Sequence, residues 1–268
     1  MRLKNKGIGL LIVLAIFGYK IYQNHVDKPA EHAAETVAVS GEIGEVGLPV
    51  MAGSHELIAH TAYALSYNEI HEQADWVAYS LSAADLADTE IKRKDNFRSD
   101  PEVDTESATL ADYRRSGYDR GHLAPAADMK RSAEIMSESF FMSNMSPQKP
   151  AFNRGMWKEL EASVRRWARR DGRLEVVTGP VLEPGLETIG ANEVSVPRCY
   201  YKVLLDLEGP EFKGIGFLMP NRKLDGDILD YAVPIDSVEA RTGIDFFAKL
   251  ADDLEARLEA QSVKSSWQ

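Results

Sequence analysis

Apolar side chains recur at two different periods along this chain, and the change of period outlines its elements. In ALSYNEIHEQADWVAYSLS (residues 64–82), apolar stretches flank a polar centre, and the second carries Trp76, Val77 and Tyr79. That pattern predicts two strands around a turn. LEVVTGPVL (174–182) is β-branched and bounded by Gly and Pro, as a strand would be. RCYYKVLLDL (198–207) and FKGIGFLMPN (212–221) are separated by the short turn signal EGP, which predicts a hairpin. Two further stretches follow a helical period. PAFNRGMWKELEASVRRWARRD (150–171) opens on Pro150 and sets Phe152, Met156, Leu160 and Val164 four residues apart. IDFFAKLADDLEARLEAQ (244–261) predicts a second helix, with Gly243 just before it. Strands interrupted and followed by helices, without regular βαβ alternation, give an α+β class.

The N-terminus has neither period. Arg2, Lys4 and Lys6 precede an apolar run from Gly7 to Tyr19. A basic start followed by a short apolar run is the secretory pattern. Bulky Tyr19, Ile21 and Tyr22 stand where a cleavage site would need small residues. Counted through Tyr22, with Lys20 reaching back to the interface, the run approaches the roughly 17 residues that a membrane helix needs. Residues 1–25 are therefore expected to be a signal anchor, with a cleaved signal peptide as the alternative. The basic flank puts the body of the protein on the non-cytoplasmic side. Residues 26–50, rich in Ala, Glu and Gly, read as a linker, which leaves 51–268 as one domain without internal repeats.

Composition adds two constraints. With 268 residues and 44% hydrophobic content the chain can bury a full core, and its single cysteine, Cys199, excludes an intramolecular disulfide. The formal net charge of −11 argues against a nucleic-acid partner. Positive charge is nevertheless gathered in one place. Between Lys149 and Arg173, eight Lys and Arg stand against three acids, a local balance of +5. Arg165, Arg166, Arg169 and Arg170 suit either a phosphate backbone or a solvated helix end favoured by the helix dipole.

SGYDRGHLAPAADM (116–129) places Asp119, Arg120, Gly121 and His122 in a row. Arginine is rarely buried unless paired, so on its own this could equally be a charged surface turn. Downstream, Asn153, Trp157 and Glu161 recur every four residues, on a stripe beside the apolar one. YDRGHLAPAADM followed by SNMSPQKPAFNRGMWKELE resembles the DNA/RNA non-specific endonucleases, sugar-non-specific nucleases with a ββα-metal (His-Me finger) fold. KRKDNFRSDP, VVTGPV, VPRCYYKVLL and SVEARTGIDFF resemble that family's other landmarks, in its order, so that the likeness covers residues 57–255.

The resemblance implies a central antiparallel sheet with flanking helices. It also implies His122 as general base, Asn153 as direct metal ligand and Glu161 as the acid that holds metal-bound waters. Asn144 would lie close to the site, and Arg120 and Arg93 near the scissile phosphate. Lys92, Lys94 and Arg98 crowd the stretch around Arg93 and leave its register open. The implied ion is Mg²⁺, with Mn²⁺ or another divalent cation such as Ca²⁺ as alternatives, and many relatives are homodimers.

The chemistry suits these residue types. Histidine, with an ordinary pKa near about 6.5, can take a proton from water at neutral pH. An arginine fork matches phosphate oxygens, and Mg²⁺ prefers oxygen ligands while keeping several waters. In one unbroken helix Asn153 and Glu161 would stand about 12 Å apart along the axis. Water must then bridge them, or the helix begins after Asn153. Contacts to phosphate are the same in every nucleotide, so both DNA and RNA are expected substrates. His55, His60 and His71 read as packing or surface residues, Cys199 as a small buried apolar group, and Trp157 as packing beneath the site. Asp119 is expected to fix its loop, and Asp128 to support the histidine loop or to start a helix or turn. Two other functions stay open: an idle nucleic-acid-binding module, and a phosphodiesterase or phosphatase for small substrates. The intact His122, Asn153 and Glu161 argue against the first, and the basic helix against the second. The expected location is membrane-anchored in a bacterial periplasm, with secretion or the mitochondrial intermembrane space as alternatives.

Overall fold

The computed structural model describes residues 48–268 apart from 54, 88, 89 and 210, so the expected anchor and most of the linker lie outside the described residues. The main strands are β1 (Glu56–Ala59), β2 (Ala64–Asn68), β3 (Gln73–Ser82), β4 (Asp119–His122), β5 (Met145–Gln148), β6 (Arg173–Pro180), β7 (Cys199–Asp206), β8 (Lys213–Pro220) and β9 (Ala232–Val233). Seven of them form one antiparallel sheet in the order β9-β8-β7-β6-β3-β2-β1. Both expected hairpins are present, and β7 pairs with β8 from Cys199↔Pro220 to Asp206↔Lys213.

Central strand β7 shows why the sheet is covered on both faces. Tyr200 and Leu204 join one apolar cluster, while Tyr201, Val203 and Leu205 join another, as the two-residue period of a strand requires. Helix α1 (Lys158–Asp171) brings Leu160, Val164, Trp167 and Ala168 to the first cluster. Helices α2 (Ile235–Thr242) and α3 (Asp252–Glu259) bring Ile235, Val238 and Leu258 to the second. Lys202, fully buried, interrupts the apolar row of β7 on the α1 side, and buried Asp206 ends it. Strands β4 and β5 form a separate antiparallel pair, and the chain runs from β5 directly into the helical stretch that ends in α1. That succession is a ββα unit laid against the large sheet.

Three expectations from the sequence change here. The helix expected over 244–261 begins only at Asp252. Gly243 is not its start but the C-terminal cap of α2, with φ 72 in the left-handed region that favours glycine. Ile244–Asp245 then pairs antiparallel with Val50–Met51, and Phe246 and Phe247 fill the core from irregular backbone. Because Leu48 and Met51 pack against the second cluster, the expected linker ends before residue 48, not at 50. Finally, 150–171 is not one continuous helix. A wider turn at Asn153–Trp157, with Gly155 at φ −104 and ψ −118, separates Pro150–Phe152 from α1.

The last turn of the chain closes the α1 side of the core. Trp167 stacks on Phe217 at 6.3 Å and meets Trp267 edge-on at 5.1 Å. The Arg170 guanidinium donates to the carbonyls of Ser266 at 3.0 Å and Gln268 at 2.7 Å. Trp267→Ala is expected to cost roughly 3–5 kcal/mol of stability. A lowered urea midpoint at unchanged slope would show it.

Candidate active site

The β4–β5 register sets Asp119 opposite Gln148 and His122 opposite Met145. An added Cβ on Gly121 would lie 2.2 Å from the Gln148 side chain, so the strands can approach this closely only with glycine there. Strand alternation then sends Arg120 and His122 to one face and Asp119 to the other.

The His122 ring stands edge-on to Phe140, with centroids 5.0 Å apart, and to Phe97, 5.7 Å away. Its Nε2 is enclosed and makes no hydrogen bond within the protein, although the residue as a whole is half-buried. The same two phenyl rings seat two guanidinium groups: Arg120 lies 4.2 Å over Phe97 and Arg93 5.2 Å over Phe140. Burial first, then the charges of Arg93 and Arg120, pull the His122 pKa down to about 3 against the opposing pull of Asp95. The imidazole is therefore neutral at physiological pH. Of the other cations around Arg93, Arg98 is turned inward, donating to the carbonyls of Asn96 and Ser137 at 3.2 and 2.9 Å.

Asn144 lies in the interior behind the His122 turn. It is fully buried, its Oδ1 accepts from the Ala124 N–H at 2.8 Å, and its Nδ2 donates to the carbonyls of Ala124 and Ser139. Its own carbonyl accepts from Leu123 N–H at 3.0 Å. With both amide hydrogens engaged, Asn144 pins the turn that follows His122.

Asp119 acts on the far side of the strand pair. Its carboxylate accepts from Asn153 Nδ2 at 2.9 Å and from Arg154 at 2.8 and 2.6 Å. By taking the amide nitrogen, Asp119 fixes which way the Asn153 side chain points and leaves Oδ1 available as a donor atom. Glu161, in the first turns of α1, makes no hydrogen bond or ion pair among the described residues. Burial pushes its carboxyl pKa up; Lys202 is the largest charge opposing that shift, followed by Arg165 and Arg93 among the cations. Lys202 Nζ is buried without a hydrogen bond, 4.9 Å over the Trp157 ring. Burial lowers the amine pKa, and Glu161 and Asp128 counter it. Asp128 neither starts a helix nor touches the histidine: it joins β3 to α1, accepting from Tyr79 Oη and from Arg165, each at 2.8 Å.

The arginine row of α1 is engaged elsewhere. Arg165 is held by Asp128, Arg166 donates to Ser163 Oγ, Arg169 to the Leu86 carbonyl and Arg170 to Asp171. These bonds tie α1 to its surroundings, with Arg166, Arg169 and Arg170 exposed. His55, His60 and His71 bond to Asp75, Asp100 and Ser195 at 2.9, 2.8 and 2.8 Å, in packing roles. Sequence reasoning overlooked Phe97, Phe140, Tyr79 and Lys202. Only Lys202 left a signal, as a lone charge inside the apolar run YYKVLL.

The free Asn153 amide oxygen and the unpartnered Glu161 carboxylate are the oxygen donors that a hard divalent cation takes. The sequence model of a family described as DNA/RNA non-specific endonuclease matches residues 39–253. The chain belongs to that family. This endonuclease is 36% identical to mitochondrial endonuclease G of Homo sapiens over 220 residues, 77% of this chain and 73% of the human protein. To a nuclease of Nostoc sp. it is 34% identical over 217 residues, 76% of this chain and 78% of that one. A solved structure of the EndoG/EndoGI complex superposes with a TM-score of 0.73 at 34% identity, covering 81% of this chain and 94% of that one. The fold is thus the ββα-metal nuclease fold, and the enzyme is a divalent-metal-dependent nuclease that hydrolyses phosphodiester bonds.

The low His122 pKa has a definite sign. In the unfolded endonuclease this ring takes a proton near about pH 6.5, whereas the native ring stays neutral until about 3, so acidification between these values destabilises the fold. In metal-free protein the ring resonances of His122 are expected to remain those of neutral imidazole from about pH 8 to about pH 5. Nuclear magnetic resonance titration checks this, and a midpoint near about 6 would contradict the enclosed site.

Proposed function

We propose that His122 is the general base of phosphodiester hydrolysis, that Asn153 Oδ1 holds the metal, and that Glu161 orients the waters the metal carries. Arg120 and Arg93 grip the phosphate. The observation that carries this reading is the pairing of a neutral, aromatic-walled His122 with two guanidinium groups seated on the same walls. Since Nε2 is the enclosed nitrogen, Nδ1 is the one left to accept the proton from the attacking water. The two guanidinium groups neutralise the non-bridging oxygens as negative charge builds on the phosphorus centre. Mg²⁺, when bound, supplies Lewis-acid stabilisation of the phosphate and the departing oxygen. Lys202, from beneath, favours the ionised form of Glu161, and Asp119 keeps the Asn153 oxygen turned toward the ion. All of these groups address phosphate and none a base edge, which supports cleavage of both DNA and RNA with strong salt dependence.

For location, the apolar run from Gly7 to Tyr22 supports delivery across a membrane, to a periplasm or to the mitochondrial intermembrane space. Endonuclease G of Homo sapiens is named as mitochondrial. Among the described residues no helix is long and apolar enough to cross a membrane. The homodimer expected from the resemblance stays a proposal, which sedimentation of the purified chain would decide.

Plasmid and RNA digestion by the full chain tests the reading. Both substrates are expected to be cut with Mg²⁺ and neither with EDTA. His122→Ala should lose roughly 100- to 10,000-fold in kcat with its fold intact. Glu161→Gln should need a higher Mg²⁺ concentration for half-maximal rate. Failure of well-folded wild-type protein to cut either substrate across several metals would favour a small phosphodiester or an idle binding module.

A further inference from the structure

On the sheet face opposite α1, α2 and α3 bring together a group of acids that the nuclease reaction does not use. Asp236 and Glu239 stand three residues apart on α2, so they share one side of it, and Glu259 is the last residue of α3. One carboxylate oxygen from each of the three lies within 4.8 Å of the others. Acids gather on many surfaces without consequence, but Glu259 is not on the surface. It is only 4% exposed, its Oε1 is enclosed, and its side chain has no hydrogen bond or ion pair among the described residues. A carboxylate this deeply buried is ordinarily paired or bound to a metal.

The surroundings offer no protein cation. Asp236, Glu239, Asp245, Glu255 and Glu259 line a hollow of about 600 Å³ into which no lysine or arginine projects. Burial first, then the acids Glu239, Glu255, Asp236 and Asp245, push the Glu259 carboxyl up to about 8. Glu239 is oriented by the Phe246 N–H, which bonds one of its oxygens at 3.0 Å. Its other oxygen is left over. The cluster is thus preorganised, buried at its base, and short of positive charge.

We propose that Asp236, Glu239 and Glu259 hold one calcium ion in a structural site separate from the catalytic centre. Calcium takes six to eight oxygen ligands at about 2.3–2.6 Å, so ligands on opposite sides of it stand about 5 Å apart. Carboxylates serve it singly or in pairs of oxygens, and Asp245 and Glu255 at the rim can complete the shell through water. Magnesium, which demands a tight octahedron and gives up its waters reluctantly, fits a cluster of bulky carboxylates less well. Bound there, calcium would clamp the start of α2 to the end of α3 and hold both against the sheet. No catalytic residue takes part, so the site stands or falls independently of the reaction scheme.

The test uses the full chain carrying Asn153→Ala, which removes the response of the catalytic metal site, stripped with EDTA. Saturating Ca²⁺ is expected to raise its Tm by roughly 5 °C and equilibrium dialysis to find one Ca²⁺ per chain. Adding Glu259→Gln, or separately Asp236→Asn at an exposed position, should abolish both effects. In EDTA the Glu259→Gln protein should melt no lower than its parent, because a buried acid without a hydrogen-bonding partner has been replaced by a neutral side chain of the same shape. Glu259→Gln alone should cleave DNA in Mg²⁺ at the wild-type rate. The proposal is overturned if Ca²⁺ leaves the parent unchanged, if it stabilises the Gln and Asn variants equally, or if Mg²⁺ gives the shift and Ca²⁺ does not.

Discussion

The buried charge of Lys202 beneath Glu161 is the constraint around which this enzyme is arranged. A lysine in the middle of a central strand, covered on its face by a helix, loses its water and finds no hydrogen-bonding partner. Its amine persists there because Glu161 on α1 and Asp128 on the preceding loop supply negative charge, while the Trp157 ring offers its electron-rich face. Removing any one of these would leave an uncompensated ion in the core, which is far more destabilising than the intact arrangement is stabilising. Asp128 also fastens β3 to α1 through Tyr79 and Arg165. The electrostatics of the site and the seating of the helix on the sheet are therefore one structure.

The ββα unit solves a spacing problem on that platform. A regular helix from Pro150 would carry Asn153 and Glu161 too far apart to serve one ion. The wide turn at Asn153–Trp157, with Gly155 outside helical dihedrals, ends that regularity, and α1 proper begins at Lys158. Of the two ways out that the spacing left open, the chain takes the later helix start. Asp119 then sets the Asn153 amide, and the Asn144 latch sets the turn after His122. Each of these side chains is thus held in place by a neighbour, which is how short elements gain a fixed geometry.

Much of this was legible in the sequence, for physical reasons that differ by element. The hairpins β2–β3 and β7–β8 could be read because strands buried on both faces are apolar runs and their turns are short. The segment 244–261 could not be read as easily. Phe246 and Phe247 are core residues held by irregular backbone, and a two-residue strand leaves no periodic trace. Gly243 was visible, but a glycine marks a helix end as readily as a loop before a helix begins. Motifs placed His122, Arg120, Arg93, Asn153 and Glu161 in order; they could not show that Asn144 has its amide fully engaged, since proximity along a motif says nothing of where hydrogen bonds go. The bonds of the α1 arginine row stayed hidden for a similar reason. Charge is written in the sequence, whereas the partners that neutralise it come from residues tens or more positions away, such as Asp128 for Arg165 and the carbonyl of Gln268 for Arg170.

The phenyl walls around His122 also bear on how the enzyme resets after each bond is cut. A base whose conjugate acid is strongly acidic holds its captured proton only briefly and returns it to the leaving oxygen or to bulk water at once. What it gives up is driving force in the forward transfer, because so weak a base pulls feebly on an ordinary water molecule. Such a residue works only on water already acidified by a nearby cation, so idle hydrolysis is suppressed wherever the ion is missing. With His122 as the base, the rings of Phe97 and Phe140 would thus make the nuclease conditional on its ion.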